Sequence, residues 1–269
     1  MFHRQTIEGS ILNMQKISIY TSATNNFPLE DRIAAIKEVG FNSVCLDFGY
    51  KQIGEMVWDN QVRLAHKYDL PIENAHLSGS GMNAVWEEGE KGDYVADRLI
   101  DELKRMAAFG IKVGIVHVTW GRVAPPPPSE LALHRYERAV EVAEQLGVTI
   151  ALENSVFPEP LHYLLDAIKS PNVGFCYDSG HEIGFTPEED FLAKYGNRLV
   201  AMHLHDNVYQ DDMHALPFTK DINWDEKIAA LKKTDYFHKM ITLESTFKND
   251  DVVEGYAEAL AVAKKIARM

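Results

Sequence analysis

Short runs of apolar residues recur along the chain, and each is followed by an amphipathic stretch with helical periodicity. The apolar runs are rich in Val, Ile and Leu, and most are continuous rather than alternating, which is typical of strands buried in a parallel sheet. Eight such runs are predicted as strands, at residues 16–20, 43–48, 72–77, 113–119, 149–154, 173–178, 199–205 and 240–245.

The stretches between these strands have recognisable helix ends. Ser129 is a suitable N-cap, and glycines follow the predicted ends of three helices, at Gly40, Gly110 and Gly147. The predicted helices are 31–39, 53–68, 94–109, 129–146, 160–168, 187–194, 225–233 and 252–267.

Eight strands alternating with eight helices in about 250 residues predict an α/β fold, a single-domain (β/α)8 TIM barrel. The barrel is expected over residues 16–269, after an N-terminal extension at 1–15. A doubly wound open sheet is the alternative, but it usually has fewer strands, and no G-x-G-x-x-G follows the first strand here.

Composition narrows the class of protein. With 46% hydrophobic residues, 25% charged residues and 269 residues in all, the chain is neither disordered nor a disulfide scaffold. Its formal charge of −13 disfavours nucleic acid and anionic membranes as partners. Two cysteines in apolar runs, Cys45 and Cys176, indicate reduced core residues. Because no apolar run is long enough to span a membrane and residues 1–15 lack a signal-peptide stretch, a cytoplasmic location is expected.

Metal-binding side chains occur at the predicted ends of successive strands. The third to eighth strands end in His76, His117, Glu153, Asp178, the pair His203 and His205, and Glu244. Active sites of (β/α)8 barrels lie at this end of the strands, and so many convergent polar groups are costly to bury without a cation. A divalent metal is therefore predicted, with Mn²⁺, Zn²⁺ or Co²⁺ suited to imidazole and carboxylate donors. Glu153, Asp178, His203 and Glu244, on four adjacent strands, form the predicted primary ligand set.

Two tryptophans, Trp86 and Trp120, are predicted near the mouth of the barrel. Their rings would suit stacking on the apolar face of a sugar, although roofing the barrel is an equally good use for them. The apolar face of the last helix suits either packing on the barrel or the interface of a homodimer.

The segments ALEN, CYDSGH, MHLHDN and TLES, in this order, resemble the xylose isomerase-like barrel superfamily, which groups sugar isomerases and epimerases with endonuclease IV. In its ketose 3-epimerases, glutamates matching Glu153 and Glu244 bind the metal and move a proton through a metal-stabilised enediolate. The resemblance also implies that His181 contacts substrate oxygens. The expected function is thus a metal-dependent isomerase or epimerase acting on a small sugar. Asn154-Ser155 stands where those epimerases have Asn-Arg, so the sugar itself stays open.

Endonuclease IV supplies the alternative, a multi-zinc phosphodiesterase. Each of its nine zinc ligands has a match here, and one to three ions per chain are accordingly expected: His76, His117, Glu153, Asp178, His181, His203, Asp212, His214 and Glu244. Nucleic acid is disfavoured as substrate because no Lys/Arg cluster accompanies the strand-end loops. A barrel that binds sugar or metal without catalysis is a third class of function. The pair of opposed carboxylates, Glu153 and Glu244, disfavours it, because a site that only binds has no use for two metal-bound bases.

Overall fold

The eight predicted strands form one parallel sheet. The computed structural model describes residues 15–49 and 57–269. The strands are β1 Lys16–Tyr20, β2 Ser43–Asp47, β3 Ile72–His76, β4 Val113–His117, β5 Thr149–Glu153, β6 Val173–Asp178, β7 Leu199–His203 and β8 Met240–Leu243. Each of β1 to β7 pairs with its neighbours in sequence, and β8 pairs with β1. A bridge between Leu204 and Leu243 joins β7 to β8, which completes the predicted (β/α)8 barrel.

Helices connect the strands on the outside of the barrel. In the described ranges they are α1 Leu29–Val39, α2 Trp58–Lys67, α3 Glu90–Ala108, α4 Glu130–Leu146, α5 Pro158–Ala167, α6 Ser179–Phe185, α7 Phe191–Tyr195, α8 Trp224–Leu231 and α9 Val252–Arg268. The Ser129 hydroxyl caps α4 by accepting from the Ala132 backbone N–H at 3.3 Å, as predicted. Gly147 ends α4 in the left-handed region (φ 62°), where a side chain would be strained.

The sequence pattern was misleading between β6 and β7. The predicted helix 187–194 is only the five-residue α7, which begins after the N-cap Asp190. The short helix α6 was not predicted, because glycines at 180 and 184 obscure its periodicity. The side chain of Asp178 starts α6 by accepting from the His181 backbone N–H at 2.6 Å. Residues 1–14 of the predicted extension and 53–56 of the second predicted helix lie outside the described residues.

The core has an outer and an inner layer. The outer layer lies between sheet and helices, and the inner layer fills the barrel with Tyr20, Cys45, Ile115, Ala151, Cys176 and Ala201. Both cysteines are buried and neither forms a disulfide, in agreement with their prediction as core residues. Across the two described ranges, no helix has the length and apolarity needed to cross a bilayer.

Candidate metal centre

Six consecutive strands bring a metal-binding side chain to one end of the barrel. On β3 to β7 it is the last residue, and on β8 it is the next one: His76, His117, Glu153, Asp178, His203 and Glu244. The strand register aligns them, since His117 pairs with Glu153 and Asp178 pairs with His203. Side chains from widely separated parts of the sequence therefore lie at one level of the barrel.

The four predicted primary ligands, which we call the quartet, converge on one point. One donor atom from each of Glu153, Asp178, His203 and Glu244 lies within 4.8 Å of all the others. The His203 Nδ1 is 2.8 Å from Glu153 Oε1 and 2.9 Å from Glu244 Oε2. Glu153, Asp178 and His203 are fully buried, and Glu244 is 9% exposed. The quartet is thus a buried set of three carboxylates around one imidazole.

Glu153 also connects the quartet to two further histidines. Its Oε2 atom is 3.2 Å from His76 Nε2 and 3.0 Å from His117 Nε2. The Nδ1 of His76 donates to the Leu77 carbonyl at 2.9 Å, which leaves Nε2 without a proton in the neutral ring. Glu153 belongs to three of the four candidate donor groups in the described residues, so it is the shared member of the site.

A second set of donors, which we call the loop cluster, lies beside the quartet. It contains His181, His205, Asp212 and His214, with one donor atom of each within 4.8 Å of the others. The Asp212 Oδ1 is 3.1 Å from His214 Nε2 and 3.7 Å from His181 Nε2. The structure therefore brings together all nine residues predicted as ligands, in adjoining groups.

The loop that carries Asp212 and His214 is organised by the buried carboxylate of Asp206. Its Oδ1 accepts from the backbone N–H groups of Asn207 and Ile222 at 3.0 and 3.1 Å. Its Oδ2 accepts, at 2.9 Å each, from the backbone N–H groups of Thr219 and Lys220 and from the indole N–H of Trp224. Five donors to one carboxylate fix the path of the loop after β7.

The pKa shifts of the site residues reflect burial opposed by the charges of their neighbours. Burial acts to raise the pKa of Glu153, but His203 and His117 outweigh it and hold that pKa well below its usual range. Burial acts to lower the pKa of His214, yet Asp212 and Glu244 raise it to about 10. Burial likewise acts to raise the pKa of Asp212, but His214 and His181 lower it to about 2. Burial acts to lower the pKa of the buried imidazoles, and the surrounding anionic groups outweigh it at His181, His203 and His214 but not at His117, whose pKa is lowered.

The donor atoms fit a divalent cation. In the neutral ring of His76, the Nε2 lone pair faces a carboxylate oxygen, which is repulsive unless a proton or a cation lies between them. The backbone carbonyls that hold the Nδ1 atoms of His76, His181 and His214 are the usual partners that orient metal-binding imidazoles. The residues present are nitrogen and carboxylate donors, as Zn²⁺, Mn²⁺ and Co²⁺ require.

A cavity of ≈ 420 Å³ opens above the donors. Its described lining includes Trp120 and His181, both predicted to contact substrate, and Trp120 is 48% exposed. Trp86 is not among the described lining residues: it is 3% exposed, and its indole N–H donates to the Val118 carbonyl at 2.8 Å. Trp86 therefore belongs to the buried core between the sheet and the helices.

Two residues of the site were given no role by the sequence reasoning. His205 was predicted at the end of the seventh strand together with His203 but was left out of the predicted ligands, although its spacing of two from His203 indicates that both lie on the same face of the strand. Asp206 carries no signal of its role, because its five donors come from a loop whose path the sequence pattern does not specify.

The sequence profile of the xylose isomerase-like TIM barrel family matches residues 33–266. The chain belongs to this family. Among curated proteins, this xylose isomerase-like barrel is similar to the uncharacterised protein y4fM of Sinorhizobium fredii, with 35% identity over 108 residues. That match covers 40% of this chain and 34% of y4fM, so it spans about a third of the relative's length.

Solved structures share the fold of this xylose isomerase-like barrel. A D-psicose 3-epimerase from Clostridium cellulolyticum, solved with D-tagatose, has a TM-score of 0.74 at 14% identity, covering 94% of this chain and 99% of the other. The IolI protein, solved with a bound zinc atom, has a TM-score of 0.70 at 18% identity, covering 94% and 96%. At these identities the likeness shows the fold alone.

Proposed function

We propose that this protein is a metal-dependent isomerase or epimerase that acts on a small sugar or sugar derivative by proton transfer next to a carbonyl. The observation that carries the proposal is the position of Glu153 and Glu244. They are the outer members of the quartet, on β5 and after β8, and both reach His203 Nδ1 within 2.9 Å. Two carboxylates thus lie beside the point at which the quartet would hold the ion.

The ion, the two glutamates and Trp120 would have separate roles in this reaction. A divalent ion held by the quartet would polarise adjacent substrate oxygens and stabilise the negative charge that develops on them. One of the two glutamates removes the proton beside the carbonyl, and the other returns a proton from the opposite side. Trp120, half exposed at the rim of the cavity, offers its ring to the apolar face of the sugar. A structural neighbour that is a D-psicose 3-epimerase, solved with D-tagatose, supports this substrate class.

Solvent isotope exchange tests the proposal directly. The protein, loaded with Mn²⁺, Co²⁺ or Zn²⁺, is incubated in D₂O with a panel of aldoses and ketoses, and proton NMR follows loss of the signal from the carbon beside the carbonyl. We expect one sugar to exchange with wild-type protein, and Glu153→Gln and Glu244→Gln each to abolish the exchange. Glu102→Gln is the matched control, because Glu102 belongs to none of the donor groups found in the described residues and bonds to the Ser78 backbone and Arg98.

Near-normal exchange in either glutamate variant would refute the two-glutamate mechanism. Product formation without deuterium incorporation would instead indicate direct hydride transfer between carbons.

Hydrolysis of phosphoesters is the second candidate, and the adjoining donor groups favour it. Several ions held side by side would activate water against a phosphodiester. Against it, Arg122 is the one lysine or arginine that lines the cavity in the described ranges. Cleavage of abasic-site DNA by zinc-loaded protein, lost in Asp212→Asn, would place this activity ahead of sugar chemistry.

A further inference from the structure

The loop cluster contains one more donor than the resemblance to endonuclease IV implies. His181, Asp212 and His214 match ligands of that family, and the fourth donor is His205. We propose that His205 completes a closed four-donor site, which binds a zinc-type ion to fix the loop after β7 and leaves that ion no open position for water. This second ion site does not depend on which reaction the quartet performs.

The three imidazoles of the loop cluster are held in the same way. The Nδ1 atoms of His181, His205 and His214 each face a backbone carbonyl, those of Asn154, Asp206 and Glu244, at 2.9, 3.4 and 2.8 Å. A carbonyl only accepts hydrogen bonds, so in the neutral rings of His181 and His214 the proton is on Nδ1 and Nε2 keeps its lone pair. One nitrogen of each of the three rings and one carboxylate oxygen of Asp212 lie within 4.8 Å of one another.

His205 also contacts the buried carboxylate of Asp178. The Nε2 of His205 is 3.0 Å from Asp178 Oδ1 and 3.2 Å from Oδ2. A carboxylate only accepts hydrogen bonds, so this contact is favourable where a proton or a cation lies on Nε2. A metal ion bound to Nε2 would take the place of a proton there, between two side chains that are both fully buried.

The spacing and packing also suit a tetrahedral ion. Ligand atoms about 2.0–2.1 Å from a tetrahedral Zn²⁺ lie about 3.3 Å apart, and Asp212 Oδ1 lies 3.1 and 3.7 Å from its two histidine partners. The rings of His205 and His214 stack, with their centroids 4.1 Å apart and an angle of 10° between them. Gly180 makes room for this stack, since a Cβ there would lie 1.9 Å from His205 Cε1.

A closed site has a distinct chemical consequence. Zinc sites with four protein ligands are structural, whereas catalytic sites keep an open position for water or substrate. The ion in the loop cluster would therefore hold α6 and the loop after β7 together without activating water. The Nε2 of His181 would be committed to this ion, so the expected contact of His181 with a sugar would not come from that atom.

Cobalt spectroscopy tests the proposal. Chelator-treated full-length protein is titrated with Co²⁺, because four-coordinate Co²⁺ absorbs visible light far more strongly than six-coordinate Co²⁺. The difference between wild type and Asp212→Asn isolates the loop cluster from the quartet. We expect one strongly absorbing ion that azide does not perturb. We also expect His205→Asn to lose the same signal as Asp212→Asn and to weaken binding of that ion at least about 100-fold. His134→Asn, at an exposed histidine outside the clusters, should match wild type.

Several results would overturn the proposal. If His205→Asn kept the wild-type spectrum and affinity, or lost the quartet ion in the manner of Asp178→Asn, His205 would be only a hydrogen-bond partner of Asp178. A shift by azide of the difference spectrum between wild type and Asp212→Asn would show an open site. If His205→Asn does not fold, X-ray absorption on zinc-loaded wild type and Asp212→Asn still counts the imidazoles on this ion, where three are expected and two would refute the assignment. None of these results depends on sugar turnover, so the proposed function stands or falls separately.

Discussion

Replacing Glu153 with glutamine should remove most of the stabilisation that metal ions give this protein. Glu153 is shared by three candidate donor groups and is fully buried. Loss of a direct carboxylate ligand should weaken ion binding by at least the 100-fold that an outer-shell partner can be worth. Because an ion that binds only the folded state stabilises it by RT ln(1 + [L]/Kd), a 100-fold weaker Kd removes about 2.7 kcal/mol of that stabilisation.

The ion-free protein should respond much less to the same change. Glutamine loses charge-assisted contacts with His203 and His117, but it also relieves repulsion between Glu153 and the carboxylates of Asp178 and Glu244. These effects oppose each other, so the difference between loaded and chelated protein is the quantity to measure.

Scanning calorimetry with saturating Zn²⁺ and then with chelator gives that difference. At about 2–4 °C per kcal/mol for a chain near this size, the ion-dependent rise in Tm should be about 5–11 °C smaller in Glu153→Gln than in wild type. Glu102→Gln, which lies outside the donor groups, should keep the wild-type rise. An equal rise in Glu153→Gln and wild type would refute the role of Glu153 as the shared ligand.

Two further predictions concern pH and packing. In chelated protein, the pKa of about 10 for His214 against the usual 6.5 stabilises the fold fully below pH 6.5, and this contribution is lost as the pH rises to 10. The interaction of His214 with Asp212 also stops contributing to the free energy of unfolding as the pH falls below 3.8, because Asp212 titrates toward its pKa of about 2. Denaturant unfolding from pH 5 to 10 should therefore show an alkaline decline that is smaller in Asp212→Asn, and equal declines would contradict this origin. Gly180→Ala should cost about 1–3 kcal/mol of unfolding free energy through overlap with His205. The control is Gly147→Ala, where the added Cβ meets open space, so only backbone strain should lower the unfolding free energy, by about 1 kcal/mol. If the two variants lost equal unfolding free energy, the overlap of the Gly180→Ala Cβ with His205 would be relieved by movement of the ring.

The barrel and the quartet were predictable because both follow from short-range patterns. A buried parallel strand is a continuous apolar run, and its last residue must lie at the end of the barrel where the other strands end. His117 and Glu153 lie 36 positions apart but become neighbours by register alone. No detail of side-chain packing was needed to bring them together.

The loop after β7 and the position of Trp86 were not predictable in this way. The loop follows hydrogen bonds from five donors to Asp206, and those bonds exist only after the loop has folded. Trp86 was expected at the mouth because it follows β3, but a 3-10 turn at Met82–Trp86 directs its ring into the core. Such turns depend on tertiary packing more than on local periodicity.

The junction between β7 and β8 gives the ion a mechanical role in the barrel. Within the described ranges, neighbouring strands elsewhere pair over two or more residues, whereas these two meet only at the Leu204–Leu243 bridge. His203 and Glu244 lie beside that bridge, one from each strand. An ion held by both would act as a cross-link across the weakest seam of the barrel. Amide hydrogens along this seam would then exchange with solvent faster once the ion is removed, and the barrel would begin to open where its site lies.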